Sequence, residues 1–408
     1  MDTNQILTLT QAHLMPTYTR IPVNFVRGEG CRLWDSEGKE YLDFVSGIAV
    51  NNLGHCHPRV VAAIKEQAEK LIHVSNLYLI EQQAELAQLL CENSFADQVF
   101  FCNSGAEANE AAIKLARKWS KDKFGQHKYE IIVFEGAFHG RTYGALSATH
   151  GEKYHHGFEP LLPGMFRVPY NCIRNVNNCL GPNTCAIMLE PLQGIGGVNV
   201  PADDYLPQLR AICDQREILL ILDEVQTGLG RTGELFAYMH YGIEPDIMTL
   251  AKALAGGLPV GAMLAKKEIA QSFGPGTHAA TFGGNPLVMA AGIAAFNVIL
   301  EEGLAGRAET NGEYLRMRLQ ELKGKYPFIK EVRGKGLLLG LELEFLGKEA
   351  DNLCLQGGLL INSLGDQVLR FLPPLIVDQE EIDEAIAILD AAFMQIVKKI
   401  SSKESRPS

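Results

Sequence analysis

No apolar run in this 408-residue sequence approaches the roughly 18–20 residues that span a bilayer; the longest, such as Ile218 to Leu222, are strand-sized. A membrane is therefore not an expected partner. Basic residues are in the minority, 37 Lys and Arg against 48 Asp and Glu, for a formal charge of −11. A general grip on nucleic-acid phosphates needs clustered cations, so small-molecule work is the expectation and nucleic acid is not. The start, Met1-Asp2-Thr3-Asn4, puts an acid where a secretory signal carries basic residues, and no long apolar segment follows it. The expected setting is the cytoplasm. Nine cysteines are an odd number, and Cys31, Cys56, Cys91, Cys102, Cys213 and Cys354 are scattered without framework spacing, as reduced thiols would be. His55-Cys56-His57 and the trio Cys172, Cys179 and Cys185 lack zinc spacing, so no metal is expected. The P-loop and the dinucleotide fingerprint are absent too.

What is present is a sequence 47% apolar and long enough for roughly two to four domains. Residues 22–44 alternate short apolar runs with Gly, which predicts small hairpins. Helical spacing runs from Pro58 to Cys91. After Phe101 strand-like runs (Ile131 to Phe134, Ala186 to Leu189, Ile218 to Leu222) alternate with helical ones, the pattern of an α/β domain with a largely parallel sheet. A long Ala-rich helix follows Pro286. Beyond it Gly336 to Leu343, Gly358 to Ile361 and Val368 to Leu372 read as strands of a smaller α+β unit, and the polar tail from Lys403 to Ser408 reads as frayed.

Five places carry chemistry. Asn103-Ser104-Gly105-Ala106 lies between a short strand and a helix running to about Trp119. Its amides, hydroxyl and helix dipole suit a phosphate, although Ser104 also reads as an ordinary N-cap. Asp223 ends a buried strand, where a carboxylate either meets a cationic ligand atom, such as a protonated pyridine nitrogen, or caps a helix. Lys252 interrupts an apolar, small-residue stretch; desolvation there would favour a neutral, nucleophilic amine, against the plainer reading of a surface Lys on a loop. Phe138-His139-Gly140-Arg141 offers an aromatic face and a guanidinium, with His139 a buried structural side chain, and Arg370 is an isolated charge in an apolar strand.

Together with Asp223-Glu224-Val225-Gln226-Thr227-Gly228 and Thr281-Phe282-Gly283-Gly284-Asn285-Pro286, these segments resemble the class III pyridoxal-phosphate aminotransferases almost end to end. Met15-Pro16-Thr17-Tyr18, Gly28 to Asp35 and Gly47 to His55 are similar to the acetylornithine/succinylornithine aminotransferase branch. The resemblance implies the α/β fold type I architecture: a large domain, residues 51–285, with a mostly parallel seven-stranded sheet, and a smaller α+β domain, residues 286–408, joined by residues 1–50. It implies a homodimer and pyridoxal 5'-phosphate as cofactor. Lys252 would hold the cofactor and move the proton, and Asp223 would pair with the pyridine nitrogen. Gln226, with Glu224 and Val225 beside it, would face the ring, Phe138 would stack on it, and Ser104, Gly105 and Ala106 would cradle the phosphate. Thr281 would reach the phosphate from the partner subunit. Arg141 matches the position for the donor's α-carboxylate and Arg370 the one for glutamate; Tyr18, Asn76 and Ala280 match substrate-side positions, and Glu190 stands behind them.

The resemblance breaks at two places. Ile195 in Glu190-Pro191-Leu192-Gln193-Gly194-Ile195 stands where the family carries the Glu that pairs with the second arginine while the amine donor is bound, and Ala280 stands where a Ser or Thr is usual. The implied reaction is δ-amino transfer from N2-acetyl-L-ornithine to 2-oxoglutarate, giving glutamate, in arginine biosynthesis. The changed positions leave open succinylornithine, succinyl-diaminopimelate or another ω-amine as donor, and more distantly a decarboxylase or aminomutase.

Overall fold

The computed structural model describes residues 1–404. Seven strands form its main sheet, in the order Gln98–Cys102, Gly261–Ala265, Ile247–Leu250, Leu219–Asp223, Thr184–Leu189, Glu130–Phe134, Met165–Val168. Gly261–Ala265 runs against both neighbours and every other pairing among Ile247–Leu250, Leu219–Asp223, Thr184–Leu189, Glu130–Phe134 and Met165–Val168 is parallel. The expected mostly parallel seven-stranded sheet is thus present. Its central strands are buried at every position from Thr184 to Leu189 and from Leu219 to Asp223, so they read as continuous apolar runs rather than alternations. Helix Gly105–Phe124 lies on this sheet through Ala108, Ala111, Ala112, Ile113, Leu115 and Ala116, a small-residue face that allows close approach.

Two further four-stranded sheets complete the fold. In one, the antiparallel strands Phe25–Glu29, Arg32–Asp35 and Glu40–Asp43 fulfil the expected hairpins, and Glu40–Asp43 pairs in parallel with Leu359–Leu360 near the other end of the sequence. In the other, Ile329–Lys335, Leu338–Leu343, Val368–Phe371 and Asn362–Leu364 are antiparallel throughout, with Arg370 opposite both Gly340 and Asn362. The Ala-rich helix runs from Pro286 to Glu301 and packs on helices Pro58–Lys70 and Glu81–Glu92. Among the described residues no single helix is long and apolar enough to cross a membrane.

Local readings differ at several ends. The helical spacing from Pro58 to Cys91 is broken between Lys70 and Glu81. The helix expected to reach Trp119 continues to Phe124 and stops at Gly125, whose φ of 101° no ordinary helix residue adopts. Thr3–His13, unread in the sequence, is a helix held by a capping box between Asp2 and Gln5. Of the tail expected to fray, Lys403 and Glu404 end the helix Gln379–Glu404, and the rest lies outside the described residues.

Candidate active site

Parallel strands deliver their following loops to one edge of a sheet, and ligands in such folds bind outside the carboxyl ends. Here Ser104 follows Gln98–Cys102, Phe138 follows Glu130–Phe134, Glu190 follows Thr184–Leu189, Asp223 ends Leu219–Asp223 and Lys252 follows Ile247–Leu250. All five line one cavity of about 450 Å³, with Gly105, Ala106, Arg141, Ile195, Val225 and Gln226. That volume is in the range of cofactor clefts.

One wall is the start of helix Gly105–Phe124. Ser104 is its N-cap, its Oγ accepting from the Glu107 amide at 3.2 Å, and the residue also lines the cavity. The Gly105 and Ala106 amides are among the orphan donors of a helix start, and both residues line the cavity. Two glycines allow this wall to be built. A Cβ on Gly105 would lie 2.8 Å from Val225 Cγ1, and one on Gly140, at φ 135°, would lie 2.7 Å from Ala106 Cβ. Gly140 therefore lets the Phe138–Arg141 segment press against the turn.

Asp223 is 3% exposed and fully engaged on its inner side. Its Oδ2 accepts from Asn109 Nδ2 and from His139 Nδ1, each at 2.7 Å, and its Oδ1 accepts from the Val225 amide at 3.0 Å. Asn109 is itself fixed: Nδ2 also donates to the His139 carbonyl at 2.7 Å, and Oδ1 accepts from Thr249 Oγ1 at 2.7 Å. His139 is the buried structural histidine expected, and it braces the carboxylate. Asn109 was missed by sequence reasoning, although a polar side chain inside the Ala-rich helix face was the signal.

Lys252 sits in the left-handed region, φ 46°, at the start of a single 3₁₀ turn to Ala255. It is partly exposed, and it lines the cavity. Its amine forms no hydrogen bond or ion pair among the described residues. Burial and, after it, the nearby positive charge of Arg370 lower its pKa to about 8, with Asp223 and Glu190 opposing the shift. Glu190 accepts from the Phe138 amide at 2.9 Å and the Gly194 amide at 3.1 Å, and burial lifts its pKa to about 7.

Arg370 is 2% exposed yet lies outside the cavity lining. Its Nη1 donates to the Gly194 carbonyl at 3.0 Å and to Gln226 Oε1 at 3.1 Å, and its Nε to Asn362 Oδ1 at 3.1 Å. No carboxylate pairs with it among the described residues, and burial lowers its pKa to about 10, against the pull of Glu190. A buried guanidinium satisfied only by neutral acceptors is unusual. Ile195, next to Gly194, offers it nothing.

Other expected site residues are not brought to the cavity. Glu224 turns away: its carboxylate accepts from the Ala237 and Tyr238 amides at 2.7 and 2.8 Å and from Thr227 Oγ1 at 3.0 Å, so this side chain braces a loop rather than facing a ring. Tyr18 is 73% exposed, and Thr281 and Asn76 are exposed as well. Asn76 Nδ2 donates to the carbonyls of Ala280 at 3.1 Å and Gly283 at 2.8 Å, tying the 76 and 280–283 segments together at the surface.

Residues 14–393 match the family described as Aminotransferase class-III. The chain is 55% identical over 394 residues to an acetylornithine aminotransferase of Caldanaerobacter subterraneus subsp. tengcongensis, covering 96% of this chain and 100% of that protein. Among solved structures it is similar to the acetylornithine aminotransferase of Elizabethkingia anophelis, at TM-score 0.87 and 36% identity over 97% of this chain and 100% of that one. It is similar as well to an ornithine aminotransferase of Toxoplasma gondii, described with partial occupancy of PLP at its active site, at TM-score 0.93 and 35% identity over 97% and 95% of the two chains. By the family match over residues 14–393 and these near-full-length relatives, this chain belongs to the class-III aminotransferase family.

Proposed function

We propose that the chain is a pyridoxal-phosphate-dependent aminotransferase that moves the δ-amino group of N2-acetyl-L-ornithine to 2-oxoglutarate. The observation that carries this reading is the convergence on one cavity of an unbonded lysine amine, a braced carboxylate and a helix N-terminus. These fit the cofactor group by group: the Ser104 hydroxyl and the Gly105 and Ala106 amides for a phosphate dianion, Asp223 for a pyridinium, Phe138 for the ring face, Lys252 for the aldehyde. When bound, the cofactor supplies the electron sink that makes a substrate C–H bond acidic. Lys252, with its amine pKa near 8, is neutral in a substantial fraction of molecules at mildly alkaline pH and serves as base and acid at the reacting carbon. Asp223, held by Asn109 and His139, keeps a positive charge facing it. Arg141 at the cavity lining takes the donor's carboxylate.

One observation favours a second reading within the same chemistry. Arg370 is buried without a carboxylate partner, and Ile195 stands where the family's compensating Glu is expected, so the site carries one unneutralised cation while the amine donor is bound. That condition favours donors with an additional carboxylate, such as N2-succinylornithine or N-succinyl-diaminopimelate.

The remaining expectations belong to this proposal. The working unit is a homodimer in which Thr281 reaches the partner's phosphate site and Tyr18, Asn76 and Ala280 border the partner's substrate; their position outside this chain's own cavity supports it. Residues 51–285 carry the cofactor and residues 1–50 and 286–408 form the smaller unit, in keeping with the pairing of Glu40–Asp43 with Leu359–Leu360. The setting is cytoplasmic, in keeping with nine unpaired cysteines.

The experiment is to mix holoenzyme with N2-acetylornithine, N2-succinylornithine, ornithine and 4-aminobutyrate in turn, without 2-oxo acid, and follow loss of the cofactor's aldehyde-form absorbance. Fastest reaction with N2-acetylornithine supports the first reading. Preference for the succinyl donor supports the second, and release of carbon dioxide without amino transfer would overturn both.

A further inference from the structure

Arg141, the residue that must grip the donor's carboxylate, makes no hydrogen bond or ion pair among the described residues and is exposed. What it touches is aromatic. Its guanidinium carbon lies 4.3 Å from the ring centroid of Tyr154 and 5.6 Å from that of Phe138. Tyr154 in turn stands edge-on to Phe138, 6.0 Å between centroids and 77° between planes.

Tyr154 is itself fixed. It belongs to the short helix Glu152–His155, whose His155 Nε2 lies 3.0 Å from the Leu146 carbonyl and 2.9 Å from that of Thr149. Thr149 Oγ1 accepts from the His139 amide at 2.9 Å, so the pin runs back to the group that braces Asp223. The Tyr154 hydroxyl has no hydrogen-bond partner among the described residues, which leaves the ring face as the part in use.

We infer that Tyr154 is a positioning residue for Arg141: its ring holds the guanidinium over the Phe138 side of the cavity before the donor arrives. An exposed arginine otherwise samples many rotamers, and ordering it on binding subtracts from affinity; a cation over an aromatic face is ordered beforehand. The inference rests on the proposed reading that Arg141 takes a donor carboxylate.

The test compares Tyr154→Phe and Tyr154→Leu holoenzymes. Two readouts are used: steady-state kinetics with N2-acetylornithine, and calorimetric binding of N2-acetylnorvaline, which keeps the carboxylate and acyl group but lacks the reacting amine. Tyr154→Leu is expected to raise KM and weaken N2-acetylnorvaline binding by about three- to tenfold with kcat nearly unchanged, the pattern of lost uniform binding, while Tyr154→Phe matches the parent. Unchanged binding in Tyr154→Leu overturns the inference. So does an equal loss in Tyr154→Phe, because the hydroxyl would then be the agent, and so does an altered cofactor absorbance in Tyr154→Leu, because the ring would then be supporting the site as a whole. If the parent itself ignores N2-acetylornithine and N2-acetylnorvaline but accepts 4-aminobutyrate, the substrate reading fails separately. The Tyr154 comparison is then made on the KM for 4-aminobutyrate.

Discussion

At the scale of single residues, the site is governed by charges placed where water is scarce. Lys252 holds its proton at neutral pH against the burial and the Arg370 charge that lower its pKa from 10.5 to about 8. The sign follows from linkage: below about pH 8 folded and unfolded states both carry the proton and the folded state bears the full penalty. As pH rises from about 8 to 10.5 the folded amine sheds its proton first, and this group's penalty is relieved. The gap corresponds to roughly 3 kcal/mol. Lys252→Met should therefore stabilise the cofactor-free protein by about 2–3 kcal/mol at pH 7, with the advantage over the parent shrinking by pH 10. Urea denaturation of both proteins at the two pH values checks this, and a less stable variant at pH 7 would sink it. This chemistry was legible in the sequence, because a lone Lys in an apolar, small-residue stretch has few places to hide. Asn109 and Tyr154 were not, since each acts through a neighbour that only the fold supplies.

At the scale of elements, turns and helix ends carry the information. The Ser104 turn announced itself as strand, small residues, helix, and the structure gives both its N-cap bond and its orphan amides. Gly140 belongs to the Phe138–Arg141 motif, but its need is tertiary: at φ 135° it lies against Ala106 in a helix more than thirty residues earlier in the sequence. Gly140→Ala forces either the strained backbone or the 2.7 Å approach to Ala106 to yield. The expected cost is about 1–3 kcal/mol. Because the displaced atom belongs to the wall proposed to hold the phosphate, cofactor affinity should fall with stability. Denaturant midpoints and equilibrium dialysis of the cofactor read the two together; a variant that loses stability yet keeps full cofactor affinity would show that this wall does not hold the phosphate. At the start of the sequence the reverse holds: Asp2 reads as an acid unsuited to a signal segment. It is the N-cap of Thr3–His13, a helix with no buried residue and so with no apolar periodicity to betray it.

At the scale of the whole molecule, the parallel sheet explains why residues 104, 138, 190, 223 and 252, far apart in sequence, share one cavity; alternation of strands and helices foretells the sheet, and the family resemblance, not the alternation, groups these residues in one site. The same scale explains what stays outside. Leu77 and Leu79 are 85% and 103% exposed, Tyr78 66% and Phe282 62%. They belong to one surface, since Asn76 bonds the carbonyls of Ala280 and Gly283 and the rings of His73 and Phe282 lie 5.5 Å apart. A contiguous apolar patch of this kind is costly to leave in water and marks a surface meant to be covered. Thr281, exposed and outside this chain's cavity, sits within it. A second copy covering the patch would bury the leucines and carry Thr281 toward the partner's phosphate wall in the same step. On that account Leu79→Asp places a charge within the contact, where desolvating an unpaired carboxylate outweighs the apolar gain. The parent should sediment as a dimer and the variant mainly as a monomer, with cofactor retained at least tenfold less tightly because each site loses the partner's hydroxyl and its cover. Because Leu79 does not line this chain's own cavity, a monomer that still binds cofactor like the parent would show that each site is complete on its own.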